Sequence, residues 1–273
     1  MNYVFNKSAM GYLHKESKIP CQDYSASYKD SERTIITCCD GHGGKIHIRS
    51  HVGSHMASNA IINVFRSLSY SELKSNNEEE IIKKIKLNLL CDWNRQVEEQ
   101  IGRKPISKSE CRELTINKID ALKDNPSRAF GTTMTGAMVI RNKLVVVGIG
   151  DTEVIGVRKG KSIRFLEDEN DPAANVTYSM CQEEAFKYLR VKILDWRDYD
   201  GVFLCTDGLS GPYQSYENFD KSFIKPVILK TLKTDGLSHV SDYIDELASK
   251  IGIGDDVSLS FILKDRTVKR HYK

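Results

Sequence analysis

The chain has 273 residues, 40% apolar and 28% charged, with 40 basic against 37 acidic side chains for a formal net charge of +3. This excludes a fibrous or disordered chain, and the length suffices for a full core without disulfides. No apolar run nears the roughly 20 residues of a membrane helix, the start Met1–Lys7 lacks the apolar stretch of a signal peptide, and the weak charge, with no basic stripe interleaved with aromatics, argues against nucleic acid.

Residues 34–39 (Thr-Ile-Ile-Thr-Cys-Cys) read as a buried strand stopped by Asp40-Gly41. Residues 50–67 read as a helix with Ala57, Ile61, Val64 and Phe65 on one side. The clearest periodicity runs over 78–101, where Ile81, Ile85, Leu89, Trp93 and Val97 recur every four residues. Asn77 is its expected N-cap, with Glu80 completing a capping box. Residues 102–129 are polar and contain Pro105 and Pro126; they read as a loop or helical insertion. Next come short apolar runs at 134–140, 144–149, 153–158 and 162–166, joined by tight connectors, which together read as an antiparallel meander. Residues 202–205 and 257–263 add two strands; 221–234 and 239–251 look helical.

This order predicts one α+β domain over residues 1–264, with helices layered on antiparallel sheets and 78–129 as a candidate helical insertion. Residues 265–273 read as a solvated basic tail. Seven cysteines, none in a C-x-x-C pair, fit reduced, mostly buried thiols in a cytoplasmic protein.

The strand ends carry the chemistry. Asp40-Gly41-His42-Gly43-Gly44 follows the first strand, Gly150-Asp151 another, and Thr206-Asp207-Gly208 a third. Gly254-Asp255-Asp256 precedes the last strand, and Asp23 precedes the short segment Tyr24–Tyr28. A lone Asp-Gly pair is commonly a turn. Five carboxylates at apolar strand ends are the oxygen-donor chemistry of hard cations such as Mg2+ and Mn2+.

These blocks, with Gly131-Thr132-Thr133 and Asp255-Asp256-Val257-Ser258, resemble in order and spacing the metal-dependent protein phosphatases of the protein phosphatase 2C family. The N-terminal piece Gly11–His14 through Pro20–Asp23 is similar to its bacterial branch, where Gln-Asp replaces Glu-Asp. The resemblance spans about residues 10 to 264. It implies a central antiparallel β-sandwich flanked on both faces by helix pairs, and a serine/threonine phosphatase using two or three Mn2+ or Mg2+ ions. In that reading Asp40 bridges two ions, with the Gly41 carbonyl on one of them. Asp207 and Asp255 hold the other, and Asp151 joins Asp207 at a weaker third site. Asp23 orients waters from behind, and His42 protonates the leaving alkoxide. Attack by a water bridging the ions needs no covalent intermediate. No cysteine is followed six residues later by arginine, in accord with that.

Several positions depart from the family pattern. The arginine that binds phosphate in eukaryotic members is replaced by Lys18 or His14 as candidates, and lysine lacks the bidentate fork. Glu153 stands where arginine often follows Gly-Asp-Thr, and Asp256 where asparagine is usual. Phe165–Asn170 matches a family segment only loosely.

Two rival motifs weigh less. Asp198-Tyr199-Asp200-Gly201-Val202 mimics a haloacid-dehalogenase loop, but its order relative to Gly150-Asp151 is reversed, so a turn into the next strand is expected. His47, His51 and His55 are spaced as zinc ligands on a helix, yet no glutamate sits between them as in H-E-x-x-H, and helix-surface histidines are expected. The functional alternatives are a pseudophosphatase that binds phosphoproteins and a small-molecule phosphatase on the same fold. The expected partner is a phosphoprotein, such as the substrate of a bacterial serine/threonine kinase, with no nucleic acid, no membrane and a monomeric chain.

Overall fold

The computed structural model describes residues 2–74, 77–166, 177–250 and 252–271. Its strands are β1 (Asn2–Ala9), β2 (Tyr24–Lys29), β3 (Arg33–Cys39), β4 (Met134–Ile140), β5 (Lys143–Ile149), β6 (Glu153–Arg158), β7 (Lys161–Arg164), β8 (Arg190–Asp195), β9 (Gly201–Cys205) and β10 (Val257–Lys264). They form two antiparallel five-stranded sheets, ordered β1-β10-β9-β6-β7 and β2-β3-β4-β5-β8. The helices through the first half are α1 (Tyr12–Ser17), α2 (Ser50–Ser67), α3 (Tyr70–Leu73), α4 (Glu78–Arg103) and α5 (Ile116–Asp124). The second half adds α6 (Ala185–Tyr188), α7 (Asp207–Ser210), α8 (Tyr216–Phe219), α9 (Lys225–Thr231), α10 (Gly236–Leu247) and α11 (Asp265–His271).

The sheets pack face to face, and helices cover both outer faces, as expected for the sandwich. Alternate residues of each central strand therefore point to different cores. Ile36, Cys38, Val202, Leu204 and Ile262 fill the space between the sheets. Ile35 and Cys39 face the layer of α2 and α4. Phe203, Cys205 and Phe261 face α9 and α10. Because both faces are buried, these strands read as continuous apolar runs without alternating polarity.

The long helix α4 runs two residues beyond the expected 101, and Asn77 caps it by accepting the Glu80 N–H. Its row Ile81, Ile85, Leu89, Trp93 and Val97 is buried against α2. Each such side chain contributes about 1.5–3 kcal/mol. Trp93 is fully buried, and its Nε1 donates to the Gly53 carbonyl at 3.4 Å. The segment after α4 is tied down by Arg49, which is only 3% exposed. Its guanidinium bonds both Glu110 oxygens (2.8 and 3.0 Å) and the carbonyls of Lys104 (2.6 Å) and Pro105 (3.0 Å).

The expected meander is split. β4 and β5 belong to one sheet, β6 and β7 to the other. The connector Gly150–Thr152 crosses between sheets instead of closing a hairpin. Apolar runs buried on both faces carry no mark of which sheet they join. The last of these strands stops at Arg164, and Phe165 and Leu166 tuck into the inter-sheet core. Residues 167–170 of the loosely matched segment lie outside the described residues. Strands β1 and β8 escape a hydrophobicity reading because they are sheet-edge strands with mixed polar sequences, Asn-Tyr-Val-Phe-Asn-Lys-Ser-Ala and Arg-Val-Lys-Ile-Leu-Asp.

The helical region expected at 221–234 is a π-turn over Asp220–Ile224 followed by α9, and the one expected at 239–251 is α10, beginning at Gly236. Residues Asp265–His271, expected as solvated tail, form α11 with Val268 fully buried. His271 Nδ1 lies 2.9 Å from an oxygen of buried Asp200. That oxygen also accepts the Lys159 N–H at 2.7 Å, so the Asp198–Gly201 motif is a structural turn.

Candidate active site

Strand register gathers the functional residues at one end of the sandwich. Tyr24 pairs with Cys39, so Asp23 and Asp40 leave their strands side by side. Met134 pairs with Ile149, which brings Thr133 next to the Gly150-Asp151 turn. In the other sheet Cys205 pairs with Leu259, which sets Asp207 close to the loop before β10 that carries Asp255. Five carboxylates from two sheets thus reach one cleft of about 270 Å3, also bordered by His14, Gln22, Gly41, His42, Gly43, Thr177 and Asp256.

Backbone and hydroxyl contacts fix these carboxylates. The Asp40 N–H donates to Thr133 Oγ1 at 2.8 Å, and its carbonyl accepts from Thr132 Oγ1 (2.8 Å) and the Thr133 N–H (2.8 Å). Gly41 is buried, and a Cβ there would meet the Gln22 carbonyl at 2.6 Å and the Ser50 carbonyl at 2.8 Å, so only glycine fits. Gly150 has φ +99°, the left-handed region that glycine enters without strain, and this turn swings Asp151 toward the cleft. Thr177 Oγ1 donates to Asp151 at 2.5 Å. Asp23 is 6% exposed and accepts from Thr206 Oγ1 at 2.8 Å.

Among the described residues, one acidic group is close enough to share an ion. Asp40, Asp151 and Asp207 each place a carboxylate oxygen within 4.8 Å of the others. Asp255 borders the same cleft, and one of its oxygens accepts the Asp256 N–H at 2.8 Å. Burial pushes the Asp40 carboxyl well above its ordinary range, and the charges of Asp23 and Asp207 push it further. Asp207 is raised by burial and by Asp151 and Asp255. Asp23 is pushed up to about 8, first by burial and then by Asp256 and Asp207, against the lowering hydrogen bonds of Thr206 and Ser258. Carboxylates so placed repel one another unless protons or a cation intervene. An all-oxygen donor set of this charge fits Mg2+ or Mn2+ and lacks the sulfur and imidazole that suit zinc.

His42 borders the cleft with a buried Nε2 that has no hydrogen-bond partner among the described residues. The His42 backbone N–H donates to the Gly131 carbonyl at 3.0 Å, and the His47 ring packs edge-on at 5.2 Å. Burial, then His47, pushes the imidazole down to about 4. A second cleft, of about 590 Å3, opens from His42 and Thr177 and runs past Arg128, Tyr178 and Glu184.

The two candidates for a phosphate-binding cation separate. His14 borders the cleft, with Nδ1 2.8 Å from Asp256. Lys18 is exposed, ends α1 in the left-handed conformation (φ 55°), and does not border the cleft. The histidine ladder is absent, because α2 begins at Ser50. His47 precedes the helix and lies 2.6 Å from the Arg128 carbonyl, while exposed His55 meets Asn59 and the Tyr24 ring.

The role of Asp256 emerges only from its tertiary contacts. This buried carboxylate accepts the N–H groups of Gly11 (2.7 Å) and Gln22 (2.6 Å), clamping the N-terminal loop to the segment before β10. The acidic doublet Asp255-Asp256 is its only mark in the sequence. Thr177, which orients Asp151, carries no motif at all.

Residues 10–246 match the family model of protein phosphatase 2C. No curated protein sequence resembles the chain closely enough to count as a match. Among solved structures, the catalytic domain of the serine/threonine protein phosphatase PstP in complex with two manganese ions is similar, with 18% identity and a TM-score of 0.60 over 96% of this chain and 97% of that one. Serine/threonine phosphatase Stp1 from Staphylococcus aureus has 15% identity and a TM-score of 0.59, over 96% and 95% of the two chains. PstP/Ppp from Mycobacterium tuberculosis has 17% identity and a TM-score of 0.55, over 97% and 99%.

Proposed function

The chain belongs to the protein phosphatase 2C family of metal-dependent serine/threonine phosphatases, and we propose that it hydrolyses phosphoserine and phosphothreonine monoesters of proteins by direct attack of water, without a phosphoenzyme. The observation that carries this reading is the convergence of Asp23, Asp40, Asp151, Asp207 and Asp255 on one cleft beside the buried Nε2 of His42, which has no hydrogen-bond partner among the described residues. Bound Mn2+ or Mg2+ supplies positive charge for the phosphoryl oxygens and Lewis acidity for the attacking water.

Asp40, the Gly41 carbonyl, Asp207 and Asp255 are the residues that would hold two ions, and Asp151 with Asp207 would hold a third. Asp23, fixed by Thr206, lies behind them and orients water. His42 delivers a proton from Nε2 to the serine or threonine oxygen as it leaves. A phosphate dianion beside the imidazole opposes the downward pull of burial and restores the proton that the acid needs. His14, positioned by Asp256, faces the phosphate in place of Lys18. The cleft running from His42 past Arg128 and Glu184 seats the peptide around the phosphorylated residue.

The substrate is a phosphoprotein, in this reading one phosphorylated by a bacterial serine/threonine kinase, and the enzyme acts as a monomer in the cytoplasm. All seven cysteines are free thiols, which accords with a reducing compartment. Among the described residues no helix is long and apolar enough to cross a membrane. The test is phosphate release from a phosphothreonine peptide with Mn2+, with Mg2+ and with EDTA. Hydrolysis that persists in protein shown to be metal-free would overturn the reading.

A further inference from the structure

Where α4 ends, the chain builds an aliphatic pocket away from the acidic cleft. Ile101 of α4, Ile106 and Leu114 of the following loop, and Ile119 and Leu122 of α5 form its walls around about 690 Å3. That volume is in the range of small-molecule sites, which are mostly apolar with a few placed polar groups. The lining has one hydroxyl, that of Ser107, and it is engaged with Ser109 and Glu110. Beside it the lining carries the free Cys111 thiol, only a weak donor, and no aromatic ring for stacking.

Charge is confined to the border of the pocket and has one sign. Lys108, Arg112 and Lys123 border it, and no acidic side chain does. Lys123 is paired with Asp120 at 2.8 Å. Lys108 and Arg112 make no ion pair among the described residues. Glu110 is held by Arg49, and Glu113, next to Arg112, is exposed and makes no ion pair among the described residues. Hydrocarbon taken up by such a pocket leaves water, which favours apolar occupants.

We propose that this pocket binds a single-chain amphipathic anion of the fatty-acid class, hydrocarbon inside and acid group between Lys108 and Arg112. The aliphatic walls select a flexible methylene chain, and the unpaired cations select an anionic head. None of these residues belongs to the acidic cleft, so the site is independent of the phosphatase reaction.

The test is calorimetric titration of the full chain with dodecanoate, with dodecanol, and with a lysophosphatidate of the same chain length. The last distinguishes a phospholipid-derived anion from a free fatty acid. One-to-one saturable binding of either anion is expected. Ile119→Trp, which puts an indole where the hydrocarbon chain would lie, should weaken it at least tenfold. The exposed double change Lys108→Glu/Arg112→Glu should weaken anion binding at least fivefold and leave dodecanol unaffected. Hydrolysis of p-nitrophenyl phosphate at the wild-type rate confirms that each variant is folded. If Ile119→Trp fails that check, the exposed double variant decides alone. No saturable anion binding, equal affinity in a folded Ile119→Trp protein, or an anion affinity that the charge reversal leaves unchanged would overturn the proposal. In the last case the pocket is a plain apolar contact for another protein.

Discussion

The carboxylate of Asp256 accepts the backbone N–H of Gln22 at 2.6 Å, joining positions 234 residues apart. Its other oxygen accepts the Gly11 N–H at 2.7 Å, so one buried side chain closes the loop that carries Asp23 onto the loop that carries Asp255. Carboxylates of the cleft thereby keep their places although they come from opposite ends of the chain.

Asp256→Asn should leave one of those two N–H groups without an acceptor, because the amide nitrogen can only donate. The cost is about 1–3 kcal/mol. Asp256→Ala leaves both unpaired and should cost more. Both variants should need more Mn2+ for half-maximal activity, since the neighbouring Asp255 is less firmly placed. Urea unfolding and a Mn2+ titration of activity check this; unchanged midpoints in both variants would remove Asp256 from the site's support.

His42→Ala should slow hydrolysis of a phosphothreonine peptide by roughly 10²–10⁴-fold. Loss on p-nitrophenyl phosphate should be far smaller, because nitrophenolate leaves without protonation. Equal losses on both substrates would make His42 a positioning residue.

Asp40→Asn removes charge from the centre of the acidic group and replaces one acceptor oxygen with a donor. Activity should vanish at every Mn2+ concentration while the fold survives, because the variant relieves repulsion in the metal-free protein. Asp151→Asn should still bind two ions, turn over slowly and show an altered dependence on Mn2+. Calorimetric metal titration beside kinetics checks both variants. Near wild-type turnover by Asp40→Asn would refute the assignment.

Metal-free protein should lose stability as pH rises. The Asp23 carboxyl titrates near 8 when folded and near 3.9 when unfolded. Folding therefore favours the bound proton. That contribution is complete below about pH 4 and disappears as pH climbs through about 8. Asp40 and Asp207 are shifted in the same direction. Melting temperature in EDTA should fall between pH 5 and pH 9, less steeply in Asp23→Asn, and Mn2+ should reverse the fall. A melting temperature that rises over this range would contradict the burial of these carboxylates.

Much of the site is legible in the sequence, for a physical reason. An ion-binding carboxylate works best at the end of a rigid strand, and strand ends are visible as apolar runs stopped by Asp-Gly or Gly-Asp. Asp40, Asp151 and Asp207 are found that way, and Asp23 and Asp255 from the matching strand starts. The periodic row from Ile81 to Val97 is equally plain, because a helix with one buried face repeats every turn. Elements with a strong period, and the residue types at their ends, are thus readable from the linear chain.

Tertiary structure alone decided which ends meet. Antiparallel register places Asp23 beside Asp40, and the crossing at Gly150 sends β6 into the other sheet although its apolar run looks like those of β4 and β5. It also decided that His14 and not Lys18 borders the cleft, and that Asp256 serves as a clamp. Hydrophobic pattern reports whether a residue is buried, but not against what. Partners far apart in sequence share no local signal, and their pairing exists only once both sheets are closed.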